Sequence, residues 1–390
     1  MIQLFLLVYA AISCQGQLYE VSGPFRVGEK EFSFTDATLP SGNQRITGRI
    51  FFPAHAANTN ELANDTFPVV AFGHGFNISY LSYRNIYRHL ASWGYVVISP
   101  DVQNGINVNH RIFAQQLAAC IKYLKKEGQT AGSFYFQKIA STSACMGHSM
   151  GGGSSFLVAS VFDSVTALVG LAPAETNPSA VEVLKSNSVP ILIISGSSDN
   201  TTPESQHQAP MYSASPASKL WISLRGGAHC KFTDGPTICD LVSSPGTISR
   251  EEQLTLTRKY ITPFLGYYLK NISDAKTYIC GDSILADSAS GRLQFFTNIS
   301  CTPPTHTFAN ELTNSFISCY PTIFTNKFVV QVREDGIFRI FNSKGKQLFE
   351  SFLVGTGNYY FNLDDSEEGL LIWYFQSSNK VTQGKLIKMN

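Results

Sequence analysis

The sequence predicts an α/β fold, a mostly parallel sheet with helices on both faces, followed by a small C-terminal β-sandwich. Strand-like apolar runs alternate with helix-period segments through the middle of the chain. One Gly-x-Ser-x-Gly pentapeptide, Gly147-His148-Ser149-Met150-Gly151, stands between a strand candidate and a helix candidate. From about residue 316 the texture changes to short strand-length runs punctuated by Gly and Asn turns, as in a sandwich.

The elements follow in chain order. Ile2 to Ile12 is apolar except for Gln3, too short to span a bilayer as a helix. Small residues Ser13, Cys14 and Gly16 follow, so residues 1–16 read as a secretory signal cut near Gly16–Gln17. A lipoprotein cysteine at Cys14 is the alternative, with Ala11 where a Leu-type residue is usual. Residues 17–275 read as the main domain. Phe67–Phe72 is a strand running into Gly73-His74-Gly75-Phe76, and Tyr95–Ser99 is another running into Pro100-Asp101. A helix is predicted over Arg111–Lys126, because Phe113, Leu117, Cys120, Ile121 and Leu124 fall on one face. Gly128 is expected to stop it. Ile139–Met146, Val165–Leu171, Ile191–Ser195 and Leu220–Leu224 read as strands, and Ser154–Ser160 as a helix. Residues 276–315, rich in Ser, Thr, Asn and Pro, read as a linker or the tail of that domain. In residues 316–390, Phe328–Val332, Phe338–Ile340, Tyr359–Leu363, Leu370–Phe375 and Gly384–Met389 are strand candidates, with turns at Glu334-Asp335-Gly336 and Asn342–Gly345.

Composition narrows the function. With 29 Lys plus Arg against 28 Asp plus Glu the net charge is +1, which gives no electrostatic footprint for nucleic acid. Charged residues are 15%, against about 25% in an average soluble chain. A 44% hydrophobic content is ample for a packed core, so global disorder is excluded. At about 150 residues per domain, 390 residues suggest more than one.

The chemistry centres on Ser149. A serine on a tight strand-to-helix turn holds its hydroxyl above the sheet, and the flanking glycines permit the turn. The hydroxyl is a weak nucleophile until a base takes its proton and a carboxylate orients that base. Asp199 follows strand Ile191–Ser195 through Gly196-Ser197-Ser198, beyond the strand's C-terminal end where open α/β sheets place ligands. Asp163, Asp234 and Asp240 are its rivals. His229 follows strand Leu220–Leu224 through Arg225-Gly226-Gly227-Ala228, ahead of the alternatives His207 and His306. Ser149, Asp199 and His229 are thus the catalytic candidates, in the Ser, acid, His order of the α/β-hydrolase fold. The oxyanion donors expected are the backbone N–H groups of Met150 and Phe76. His74 is expected to stabilise its loop rather than act chemically.

Gly147–Gly153, Ser198-Asp199 with Thr202-Pro203, and Gly226-Gly227-Ala228-His229 together resemble bacterial cutinase-type polyester hydrolases, including poly(ethylene terephthalate) hydrolases. Dienelactone-hydrolase-like and platelet-activating-factor-acetylhydrolase-like esterases are similar too, over about residues 30–270. The resemblance implies a serine carboxylesterase with substrate contacts from Phe76, Gly75, His148 and Ala174. Phe76 matches the family's aromatic residue after the oxyanion glycine. The family's tryptophan after strand six has no counterpart, since Gly170 to Pro178 holds no aromatic residue. Tyr320-Pro321-Thr322-Ile323-Phe324, Asn342-Ser343-Lys344-Gly345-Lys346 and the closing Lys385–Asn390 resemble the C-terminal sorting domain of the type IX secretion system. That family usually opens Tyr-Pro-Asn-Pro, from which Thr322 and Ile323 depart. This resemblance implies the type IX machinery as partner and a secreted or outer-surface location.

Cys230 and Cys239 flank a short loop after His229, and Cys280 and Cys301 face each other across the linker. Both pairs are possible disulfides, their connectivity open. Cys120 and Cys145 are expected as buried thiols. No Cys/His spacing suggests a metal, and no cofactor is expected. The partner expected is an ester or polyester substrate of a monomeric chain without a transmembrane span. The competing readings are a soluble short-chain ester or lipid esterase and a non-catalytic surface binding protein.

Overall fold

The computed structural model describes residues 19–300 and 317–388, apart from 321–322, 325–326, 333, 343, 355–356, 364–368 and 378–380. The signal segment and Cys301 lie outside the described residues.

The first unit is a nine-stranded sheet. Its strands are β1 (Arg26–Thr35), β2 (Arg45–Ala54), β3 (Phe67–Gly73), β4 (Val96–Pro100), β5 (Ile139–His148), β6 (Ala167–Leu171), β7 (Ile191–Gly196), β8 (Lys219–Leu224) and β9 (Leu293–Thr297). Their spatial order is β1-β2-β4-β3-β5-β6-β7-β8-β9. The run from β4 to β8 is parallel throughout. Antiparallel strands close both edges. This is the α/β-hydrolase architecture that the strand and helix alternation predicts.

Helices α1 (Arg84–Ser92), α2 (His110–Gln129), α3 (Met150–Leu157), α4 (Ala180–Leu184), α5 (Gln208–Ala214), α6 (Arg250–Lys270), α7 (Lys276–Cys280) and α8 (Asp282–Ala289) cover the sheet. The pleat sorts each strand's side chains between two cores. Val69, Ala71, Ile191 and Ile193 pack with Phe113, Leu117 and Ile121 of α2 and Phe156 of α3. Their neighbours Val70, Phe72, Leu192 and Ile194 pack with Tyr87 and Leu90 of α1 and Ile261 and Phe264 of α6. Strands buried on both faces explain the unbroken apolar runs.

Two expectations are corrected. Gly128 does not stop α2, which runs on to Gln129. A Cβ at Gly128 would lie 2.7 Å from the Ile139 Cβ, so this glycine lets the helix approach β5 closely. Of the two readings of the segment from residue 276, linker or tail of the main domain, it is the linker that fails, since the residues up to 297 are the tail. Helices α7 and α8 and strand β9 belong to the first unit, with β9 paired to β8 from Leu220↔Thr297 to Leu224↔Leu293. The polar composition misleads because an edge strand buries one face only: Leu293 is buried and Gln294 exposed.

The C-terminal unit comprises β10 (Ile317–Tyr320), β11 (Ile323–Phe324), β12 (Lys327–Val332), β13 (Gly336–Asn342), β14 (Gln347–Leu353), β15 (Gly357–Asn362), β16 (Gly369–Ser377) and β17 (Val381–Lys388). They form a three-stranded sheet, β10-β12-β15, and a five-stranded sheet, β11-β17-β16-β13-β14. Pairings are antiparallel except β11 with β17. Phe328, Val330, Phe338, Ile340, Trp373 and Phe375 form its core. Alternation along β13 is strict, with Phe338 and Ile340 buried and Ile337, Arg339 and Phe341 half-buried.

Candidate active site

Strand β5 ends at His148, and α3 begins at Met150. Ser149 between them has φ 55° and ψ −120°, a conformation that costs on the order of 1–3 kcal/mol for a non-glycine residue. Glycines make the turn possible. A Cβ at Gly147 would lie 2.5 Å from the Gly151 carbonyl, and one at Gly151 2.2 Å from the Gly73 oxygen. The turn is pinned from β6, where Ser149 N–H donates to the Leu171 carbonyl (2.9 Å) and Ala174 N–H to the Ser149 carbonyl (3.0 Å).

Three loops at the C-terminal ends of β5, β7 and β8 bring Ser149, Asp199 and His229 together. His229 Nε2 lies 2.9 Å from Ser149 Oγ. His229 Nδ1 lies 2.6 Å from Asp199 Oδ2. All three side chains are buried. Asp199 Oδ1 accepts the N–H groups of Thr201 and Thr202, both at 2.8 Å. Its Oδ2 also accepts the Thr202 hydroxyl at 2.9 Å. A carboxylate in these bonds can only accept from His229, so Nδ1 carries the ring proton and the Nε2 lone pair faces the serine hydroxyl.

The rivals lie elsewhere. Asp234 accepts from the Asn85 N–H (2.9 Å), Asp240 pairs with Arg250 (2.6 Å), and Asp163 is exposed. His207 accepts the Glu175 N–H at Nδ1 (2.9 Å), and burial holds its pKa below the usual imidazole range. His306 is outside the described residues.

The loop after β3 packs on the first turn of α3, as the Gly73–Gly151 approach requires. Among the described residues neither Phe76 N–H nor Met150 N–H has a backbone acceptor. Both stay available for a developing oxyanion. His74 is buried, its ring nitrogens 2.9 Å from the Gly75 carbonyl and 2.7 Å from that of Val102, which ties this loop to the one after β4. The Phe76 side chain is 43% exposed, and Ala174 is half-buried beside the nucleophile turn. His148 is different. Its ring is wholly buried beneath His229, so it cannot touch a substrate as expected of it. Gly75 is likewise buried, and its N–H is taken by the Tyr83 hydroxyl (3.0 Å).

The base loop is held by groups that sequence reasoning missed. Gln253 of α6 clamps the Ala228 peptide, accepting its N–H at 2.9 Å and donating to its carbonyl at 2.8 Å. Arg250 donates to the Cys230 carbonyl (2.5 Å) and the Thr233 carbonyl (2.9 Å) and pairs with Asp240. The only sequence signal was the chain's own Ser249-Arg250-Glu251-Glu252 helix start, which says nothing of where the helix docks. Cys230 and Cys239 form a disulfide across the loop. Cys280 is also disulfide-bonded, while Cys120 and Cys145 are buried thiols. The segment around Cys239 carries three exposed apolar residues, Ile238 (67%) inside the disulfide loop and Leu241 (83%) and Val242 (81%) just beyond it. Bonds from Ser243 to Thr201 (2.6 Å) and from Ser244 to Asn200 (2.7 Å) seat it beside the acid loop. Among the described residues no group of three or more His, Cys, Asp or Glu is placed to hold a metal ion. Nor is any described helix long and apolar enough to cross a membrane.

Comparison with known proteins matches residues 13–244 to the family model described as PET hydrolase-like, more than half of the chain. Cutinase est1 of Thermobifida alba is 31% identical over 211 residues, covering 53% of this chain and 64% of its own length. Cutinase 1 of Thermobifida cellulosilytica is 31% identical over 211 residues, 53% of this chain and 72% of its own. Bis(hydroxyethyl) terephthalate hydrolase of Streptomyces coelicolor is 26% identical over 217 residues, 55% of this chain and 64% of its own. The chain thus spans just under two thirds of the first of these relatives.

Proposed function

The chain belongs to the PET hydrolase-like family, and from that premise we propose that it is a secreted serine esterase cleaving carboxylic esters, polyesters included, through an acyl-enzyme on Ser149. The observation that carries this reading is the unbroken buried line Ser149–His229–Asp199, with separations of 2.9 and 2.6 Å. His229 Nε2 takes the Ser149 proton as Oγ attacks the ester carbonyl. The Phe76 and Met150 N–H groups stabilise the tetrahedral oxyanion. Asp199 holds the imidazolium that forms. Collapse breaks the ester C–O bond, and His229 returns the proton to the leaving alcohol. Water, deprotonated by His229, then attacks the acyl-enzyme and releases the acid and free Ser149.

Two features bear on the ester. Phe76, Ile238, Leu241 and Val242 set exposed apolar surface on the oxyanion and base loops, which suits an insoluble apolar substrate. The loop after β6, Ala172 to Pro178, holds no aromatic residue, which favours the second reading, an esterase of small soluble esters or lipids. Export by the signal and the C-terminal unit, and a surface location, complete the proposal.

The test uses the full chain on an amorphous poly(ethylene terephthalate) film and on a soluble p-nitrophenyl ester. Release of acid from both, lost in Ser149→Ala, is expected, with Leu241→Ser/Val242→Ser lowering film release and sparing the soluble ester. Turnover of the soluble ester alone establishes the second reading. Undiminished turnover in Ser149→Ala rejects the acyl-enzyme.

A further inference from the structure

The buried ring of His148 forms a hydrogen-bonded chain that the mechanism above does not use. His148 Nε2 lies 2.9 Å from the His229 carbonyl oxygen. His148 Nδ1 lies 2.8 Å from the Tyr83 hydroxyl. That hydroxyl lies 3.0 Å from the Gly75 nitrogen. Tyr83 and His148 are both fully buried. One proton arrangement satisfies every atom. A carbonyl only accepts, so Nε2 carries the proton and donates to His229. A neutral ring then has its lone pair on Nδ1, so the Tyr83 O–H donates to Nδ1 and its oxygen accepts from Gly75 N–H. Burial, and next the nearby His229, hold the His148 pKa well below the usual imidazole range, which keeps the ring neutral. Burial also pushes the Tyr83 hydroxyl up, which keeps its proton. Gly75 is fitted to the same chain, since a Cβ there would lie 3.0 Å from His148 Nδ1 and 3.1 Å from the Tyr83 hydroxyl.

We propose that Tyr83 and His148 are positioning residues, a buried strut that sets the oxyanion loop at Gly75 and the main chain of His229 in register across the nucleophile turn. The proposal rests on the esterase reading for its rate consequence. The two ends differ in chain position by more than 150 residues, from Gly75 to His229, and the position of each relative to Ser149 must be held to better than about 1 Å. Neither strut residue touches substrate. Their loss is felt in the transition state and not in binding.

The test compares native full-length protein with Tyr83→Phe, His148→Gln and the double variant on a soluble p-nitrophenyl ester. Tyr83→Phe is expected to lower kcat by about ten- to a hundredfold with KM changed by less than about twofold. Its effect and that of His148→Gln are expected to be non-additive, as members of one chain should be. A folded Tyr83→Phe with native kcat overturns the proposal. So do additive losses that only track a lower melting midpoint. If the variants do not fold, nitrogen NMR of labelled native protein decides, because the strut requires the His148 proton on Nε2 with Nδ1 accepting a hydrogen bond. A proton on Nδ1 overturns it. The NMR result needs no turnover, so an inactive native chain would reject the esterase reading while leaving the strut separately testable.

Discussion

Both oxygens of Asp199 are occupied, Oδ1 by two backbone N–H groups and Oδ2 by the Thr202 hydroxyl and His229. In Asp199→Asn the amide oxygen would face the backbone donors and the NH₂ would face His229 Nδ1. That forces the ring proton onto Nε2, the wrong tautomer to accept from Ser149. We expect kcat on a soluble ester to fall by about 10⁴-fold while the melting midpoint changes little. The residues around the triad divide by the distance of their partners. Ser149 directly follows a strand end between glycines at 147 and 151, and Asp199 and His229 each follow a strand through a glycine-containing loop, a local pattern legible in sequence. Gln253 and Tyr83 show no such pattern, because what they hold lies 25 and 65 residues away.

Among the elements, α1 and α6 meet through His89, whose Nε2 lies 2.9 Å from the Thr262 hydroxyl. Burial, and next the nearby Arg258, lower its pKa to about 3. Unfolded imidazole titrates near 6.5. The stability His89 contributes is therefore fully present above about pH 6.5 and is lost as pH falls towards 3. His148, also held well below its ordinary value, acts with the same sign. Melting midpoints measured from pH 7 to 4 should fall with acid, and His89→Gln should flatten that slope. The base loop offers a second test. The Cys230–Cys239 disulfide spans 9 positions, and a loop this short contributes about 2–3 kcal/mol by restricting the unfolded chain. Cys239→Ser should lower the melting midpoint, and reductant should lower that of the native protein by more than that of the variant, in which the disulfide of Cys280 remains. Helix α6, from which Gln253 and Arg250 grip that loop, contains Pro263 and is buried on most of its surface. It lacks the one-sided stripe that makes α2 legible.

For the whole molecule the question is where the first unit ends. Strand β9 covers the edge of β8, and Phe296 stacks on Trp221 with ring centroids 4.8 Å apart. A chain cut after residue 275 would leave that edge open, an invitation to aggregate. One cut after residue 315 keeps β9. We expect the longer piece to melt cooperatively as a monodisperse species, and the shorter one to aggregate on size-exclusion chromatography. Equal behaviour of the two pieces would show that β9 is dispensable.

The sequence by itself determined the parallel core and the strand-end positions of Ser149, Asp199 and His229. Strands buried on both faces must be continuously apolar, and a serine on a strand-to-helix turn needs small neighbours, so both leave local marks. The sandwich core was legible for the same reason, since period-two alternation in β13 is a local property. What the tertiary structure alone decided was membership and support. It assigned β9 to the sheet although its composition reads as linker. It buried His148 where the family resemblance implied a substrate contact, and it joined that ring to Tyr83 and to the His229 carbonyl. Edge strands and buried polar groups take their meaning from partners far along the chain, and only folding brings those partners within hydrogen-bonding distance.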